Sequence, residues 1–429
     1  MLICGRCCMV VSVKAQFKFS SFCRGLLVVF LLFGLLFSSL SSCMLAVGRD
    51  DGSSLEEVIG VYVKNEVELR QAVGVVGKPV VVVFTADIYL TESTLNVSTG
   101  ANITLTSDGS SFFKLFGASG HLTLGYATLA VEGGGVLTLD GIIVTHASGV
   151  IGKGVFVDAG GRLILNSGKI SDNNQAFASG GGVQNHGTFS MFGGEISGNI
   201  AECLGGGVFN VGVFEMFGGK IANNTATSGG GVDNDKIFVM YGGMLDSNNA
   251  REWGGGVCNS FDTFSMVGDS CVISNNRATN GGGVYISSGQ VDLLGGMILG
   301  NVAAGDGGGV WVTNTNVIAE FRKLVVSKSV VFSNNSASAA CDRLPVHDKV
   351  YNEQIKGKQW TAPFKQGYNN YDISYLQGKV VTNAPSNASA GILAPLFAIL
   401  LDVAAWLSVP VSVGWLWWCV FLLVCFVGV

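Results

Sequence analysis

Residues 205–228 read GGGVFNVGVFEMFGGKIANNTATS, and residues 229–253 repeat the pattern as GGGVDNDKIFVMYGGMLDSNNAREW. Further copies begin at Gly180, Gly254 and Gly281, a distorted one at Gly307 and a looser one at Gly154. The Gly triplets recur at intervals of 25, 24, 25, 27 and 26 residues. A steady period of this length marks a solenoid, in which each unit buries its apolar side only against its neighbours.

Each unit carries three short apolar stretches separated by Gly or Asn turns, and none sustains a helical period. The first is the Val after the triplet (Val183, Val208, Val232, Val257, Val284, Val310). The second alternates with period two: Phe189/Met191, Phe214/Met216, Phe238/Met240, Phe264/Met266, Val291/Leu293. The third is Ile196, Ile221, Leu245, Ile273 and Ile298. Three short strands per turn predict an all-β parallel β-helix of about ten coils, with like residues stacked at about 4.8 Å. Leucine-rich repeats lack support in the Leu pattern, and helical arrays are excluded by the Gly content.

Two Asn columns follow the same period. Asn185, Asn210, Asn234 and Asn259 stand two residues after the first-strand Val, on the same inward side, where stacked amides satisfy one another as a ladder. Asn174, Asn199, Asn224, Asn249, Asn276, Asn301 and Asn335 fall in the turn after the third strand. Those seven suit either a ladder or a left-handed turn, which Asn tolerates.

The flanks divide the chain further. Residues 1–43 carry Arg6, Lys14, Lys18 and Arg24, no acid, and the apolar run 25–37, the layout of a signal peptide or signal anchor. Leu40-Ser41-Ser42-Cys43 resembles a bacterial lipobox, which would make Cys43 a lipidation site. Residues 44–79 form an N-terminal cap containing an amphipathic helix at 65–73 with Val67, Leu69, Ala72 and Val73 apolar, and residues 80–342 form the β-helix. A C-terminal cap and linker covers 343–390, with a capping helix expected at 345–356. Residues 391–429 hold one charge, Asp402, and the run 407–429 has the length and apolarity of a transmembrane helix. A single span and a hairpin both fit that tail.

Composition narrows the function. Glycine is 62 of 429 residues without a collagen period, 48% apolar content argues against disorder, and only 13% of residues are charged. A net charge of −5 becomes −9 once the basic residues of 1–43 are removed, which disfavours nucleic acid as a partner.

The units resemble the right-handed parallel β-helix repeats of adhesin-like surface proteins. They are also similar to the short motifs of chlamydial polymorphic outer-membrane proteins, GGA plus an aliphatic and F-x-x-N. GGGV at each triplet matches the first motif except for its third Gly, and Phe332-Ser333-Asn334-Asn335 matches the second. Such proteins end in a β-barrel translocator, whereas this chain ends in apolar segments, which argues against self-export. The resemblance implies a fold and a surface location rather than a ligand.

The superfold also hosts pectate lyases and related hydrolases, which need several carboxylates converging on one groove. Only Asp233 and Asp235 pair in the outward columns, no spacing places Arg251 beside them as a base, and Glu215 and Asp292 stand three coils apart. Phe209, Tyr285 and Trp311 share an outward column and are the candidate ligand contacts for a glycan or a protein. His121, His146, His186 and His347 do not cluster, so no metal or other cofactor is expected. Cys203, Cys258, Cys271 and Cys341 fall in different columns, which leaves their pairing open. These readings favour a membrane-tethered, extracellular adhesin-like rod, with a surface polysaccharide lyase or hydrolase and a purely structural envelope protein as alternatives.

Overall fold

The computed structural model describes residues 43–45 and 58–338, apart from 92, 110, 119–125, 177 and 314–322, together with 372–374. These all belong to one of two compact units, Ser41–Val429. The signal segment before Cys43, the expected helix at 345–356, the apolar tail, His121, His347 and Cys341 lie outside the described residues. Among the described residues no helix is long and apolar enough to cross a membrane.

The repeat folds into a parallel β-helix of about nine turns rather than ten. One coil shows the plan: strands Val208–Asn210, Val213–Met216, Lys220–Ala222 and Thr225–Ser228 follow one another round the axis. The first and second strands of this coil pair in parallel with both neighbouring coils without a register shift, so Val208 lies between Val183 and Val232, and Phe214 between Phe189 and Phe238. The first strands stack into a nine-stranded sheet.

The fourth strand corrects the expectation of three per coil. It forms a seven-stranded sheet of its own. In six of the seven strands the inward position is a small residue, Ala201, Ala226, Ala250, Ala278, Ala303 or Ala337, and in the first it is Gln175, all buried. A strand as short as two residues with one small apolar position has no visible periodicity, so pattern reading passes it over.

Glycine is required at the corner before each first strand. Gly205 has φ +63°, a left-handed conformation, and a Cβ on Gly206 or Gly207 would lie 2.6 Å from the carbonyl oxygen of Gly230 or Gly231 in the next coil. That close approach explains why the third position departs from the GGA pattern.

The turn column resolves into two roles on adjacent residues. Asp172, Asn223, Ser247, Asn275 and Asn334 take left-handed φ values of 55–57°, while the residue after each is fully or largely buried. The ladder therefore runs through Asn173 and Asn248, not Asn174 and Asn249. In Asp172-Asn173-Asn174 and Ser247-Asn248-Asn249 the first residue takes the left-handed position, so the middle Asn is the one that turns inward.

Helix α1 (Glu66–Val73) closes the N-terminal end, with Asn65 capping it by accepting from the Glu68 N–H at 3.0 Å. Leu69, Ala72 and Val73 are buried, but Val67 is 66% exposed and belongs to the solvent side. At the other end Ile373 is buried and bridges Val310 in parallel, so residues 372–374 act as a partial further rung.

Candidate functional site

Both Asn columns are hydrogen-bonded ladders. Asn185, Asn210, Asn234 and Asn259 pass an amide N–H to the Oδ1 above at 2.7 Å each time. The longer ladder links Asn173, Asn199, Asn224, Asn248, Asn276, Asn301 and Asn335 at 2.9–3.0 Å. Within it each Oδ1 after that of Asn173 also accepts the backbone N–H of the Asn below, and each Nδ2 also donates to a backbone carbonyl, as Asn224 does to Ile196. Along the longer ladder the buried amides are thereby satisfied, in the shorter one only Asn185 Oδ1 lacks a partner, and these columns serve the architecture.

His146 and Asp372 terminate that longer ladder. His146 Nδ1 faces Asn173 Oδ1 at 2.8 Å, and because that oxygen can only accept, Nδ1 carries the hydrogen. Burial lowers the His146 pKa, partly offset by this bond. At the far end Asn335 Nδ2 donates to Asp372 Oδ1 at 2.9 Å.

The outward face of the first strands carries the column Phe156, Gln184, Phe209, Asp233, Cys258, Tyr285, Trp311, one residue per rung. Tyr285 and Trp311 are adjacent, as expected from the spacing, with ring centroids 4.7 Å apart and planes within 16°. Trp253 leans on Tyr285 from the fourth strand at 5.8 Å. Tyr285 is therefore only 7% exposed, and Phe209 is cut off from it by two rungs. The three aromatics do not form one contact surface.

At the base of this column Lys153 is buried and donates to Gln184 Oε1, while Gln184 Nε2 faces His186 Nε2 at 2.8 Å. Burial brings the Lys153 pKa down to about 8. Its amine is committed within the fold.

Asp233 is the anomaly of the column. It is 0% exposed, and neither carboxylate oxygen has a hydrogen-bond partner. Burial first, and then the neighbouring Asp235, raise its pKa to about 7, while the Cys258 thiol and Ser260 hydroxyl nearby oppose the shift. Asp235 is also raised by burial. Arg251 does not neutralise the pair, because its guanidinium holds both oxygens of Glu202 at 2.6 and 3.0 Å on the exposed side. A carboxylate sealed in this way cannot touch a polysaccharide. Glu215 and Asp292 lie three rungs apart on the second strands. Among the described residues no three His, Cys, Asp or Glu side chains are arranged to hold a metal ion. Cys203, Cys258 and Cys271 are free thiols.

An ordered apolar stripe lies elsewhere on the surface. Phe192, Phe217, Tyr241, Val267 and Leu294 each follow the last inward residue of a second strand and are 40–51% exposed. Backbone bonds put them on consecutive rungs: the N–H of Phe217, Tyr241, Val267 and Leu294 reaches the carbonyl of Met191, Met216, Met240 and Met266. Phe192 stacks on Phe217 at 4.8 Å and Phe217 on Tyr241 at 4.9 Å, with planes within 6° and 11°. Exposed Asn166 bounds the stripe below and Ser327 above. The signal was legible as the residue between Met and the following Gly pair in MFGG, MFGG and MYGG.

The chain matches no family model, no curated protein and no solved structure. The likeness to adhesin-like and chlamydial repeats accordingly rests on the quoted motifs alone.

Proposed function

We propose that this protein is a membrane-tethered surface rod, adhesin-like in role, that makes weak contacts repeated along its length. The observation that carries the reading is the five-rung apolar stripe, held at strand spacing by a scaffold with few internal freedoms. Apolar runs at both ends of the sequence support export and tethering, and the sealed Asp233 weighs against the polysaccharide lyase or hydrolase.

The ring geometry favours a protein partner over a glycan. Sugars stack on ring faces, but in this stripe both faces of Phe217 and one face each of Phe192 and Tyr241 are taken by the next ring. Edges and aliphatic tips suit another apolar surface, and many such weak contacts gain strength through multivalency.

The intact chain, reconstituted in lipid vesicles, would be passed over surfaces bearing proteins or neutral and acidic polysaccharides. Retention on protein, reduced tenfold or more by the pair Phe217→Ser and Tyr241→Ser, is expected. Retention on polysaccharide that survives this pair, or release of new sugar chain ends, would overturn the reading.

A further inference from the structure

Resting on the reading of the stripe as a contact surface, we propose that its partner is a second copy of this chain, docked antiparallel with Tyr241 at the two-fold axis. The first argument is period. The stripe presents one apolar tip per rung over five rungs, about 19 Å in all. A partner that meets every tip must repeat at the strand spacing, and a copy of the same solenoid does so without adjustment.

The second argument is size. The bulky residues lie on one half of the stripe, Phe192 and Phe217, and the smaller ones on the other, Val267 and Leu294, with Tyr241 between them. An isologous antiparallel contact sets Phe192 against Leu294 and Phe217 against Val267, twice each by symmetry. Large then meets small at the four rungs flanking the axis, and only at the axis does a ring, Tyr241, meet its own copy. A parallel contact would set ring against ring at one end and leave a gap at the other. Two rods tethered at corresponding ends to facing membranes run antiparallel, so the contact joins surfaces rather than neighbours on one surface.

The third argument is area. Five half-exposed apolar side chains offer roughly 400–500 Å² per copy, within the range of the largest patch on a typical monomer. Two such stripes bury about 900 Å² together, below the ~1,200 Å² at which stable specific complexes begin. The pairing is therefore weak for one molecule and becomes effective at high density. The polar rungs at Asn166 and Ser327 limit the contact to five steps, as a rim does.

Cysteine placement tests the geometry. Intact chains carrying Cys203→Ser, to remove the one exposed free thiol among the described residues, and Ser in place of Cys4, Cys7, Cys8, Cys23, Cys43, Cys341, Cys419 and Cys425, would be reconstituted in vesicles and oxidised. Tyr241→Cys is expected to give a disulfide-linked dimer, because two copies meet at the axis. Phe192→Cys alone and Leu294→Cys alone should stay at background, since their copies stand about 19 Å apart and a disulfide needs Cα atoms within about 7 Å. Phe192→Cys and Leu294→Cys in one chain should restore the dimer. A dimer with Phe192→Cys alone would overturn the antiparallel arrangement, and no dimer with Tyr241→Cys would overturn self-pairing. In the latter case, stripe-dependent retention on an unrelated protein surface would leave the broader contact reading standing, and its loss would end both.

Discussion

Asn335 donates its side-chain amide to the carboxylate of Asp372 at 2.9 Å, across 37 residues of chain. The contact closes a file of seven stacked amides that begins at His146, all oriented alike. Aligned amide dipoles place partial positive charge at the Asn335 end, where a carboxylate stands, and partial negative charge at the Asn173 end, where an imidazole N–H stands. The complementarity parallels that of charges at helix termini.

The middle of this file should be the least tolerant part of the rod. Asn224→Ala takes away the side-chain donor to the Ile196 carbonyl and the acceptor shared by the backbone N–H and one Nδ2 hydrogen of Asn199. At roughly 1–3 kcal/mol for each buried orphan, the loss should reach about 3 kcal/mol. Asn185→Ala, at the base of the shorter ladder where Oδ1 already lacks a partner, should cost about 1 kcal/mol. Denaturant midpoints for the two variants provide the check, and equal losses would contradict the ladder account.

Phe214 is sandwiched between Phe189 and Phe238, both at 4.6 Å, and is fully buried. Phe214→Ala should destabilise by about 3–5 kcal/mol, and Phe214→Leu by clearly less. Thermal unfolding of both variants tests whether the aromatic file carries the core at this level.

Asp233 should make stability fall with rising pH. Its folded pKa of about 7 exceeds the ordinary 3.8, so between those values the folded chain holds more protons than the unfolded one. Stability then declines from about pH 4 to about pH 7 and stays low above that. Asp233→Asn should flatten this limb and stabilise the protein at pH 8 by roughly 1–3 kcal/mol, less than the full charge-burial cost because an amide is still buried. Melting curves from pH 4 to 8 decide the matter, and a variant less stable than wild type at pH 8 would refute it.

His146 acts with the opposite sign. Burial lowers its folded pKa, so stability present above the ordinary value of 6.5 is lost as pH falls below it. Imidazole nitrogen shifts should show a neutral ring protonated at Nδ1 at pH 6.5. A charged ring at that pH would break the assigned polarity of the ladder.

Periodic residues were the readable part of this sequence. Val208, Phe214 and Ile221 fixed three of the four strands because each repeats with a constant neighbour one coil away, and Asn185–Asn259 fixed the register of the first. The fourth strand escaped because Ala226 and its equivalents supply too little apolar pattern. Adjacent Asn pairs hid which member turns inward, since only backbone handedness at Asn223 or Asn275 separates the two roles. The site was harder. Alternation places Tyr285 outward, but not that Trp253 covers it, because that contact is between different strand stacks. The stripe at Phe217 and Tyr241 was visible as spacing, yet turn residues next to Gly pairs carry no alternation to mark them as exposed.

The central claim is that contact runs through the exposed turn stripe and not through the half-buried outward column. The most direct measurement compares two variants of the intact chain in vesicles for retention on a surface bearing the same chain. The account predicts that Phe217→Ser with Tyr241→Ser lowers retention at least tenfold, while Phe209→Ala with Trp311→Ala leaves it within twofold. Retention lost with Phe209→Ala and Trp311→Ala but kept with the stripe pair would contradict the account and return the contact to the outward column.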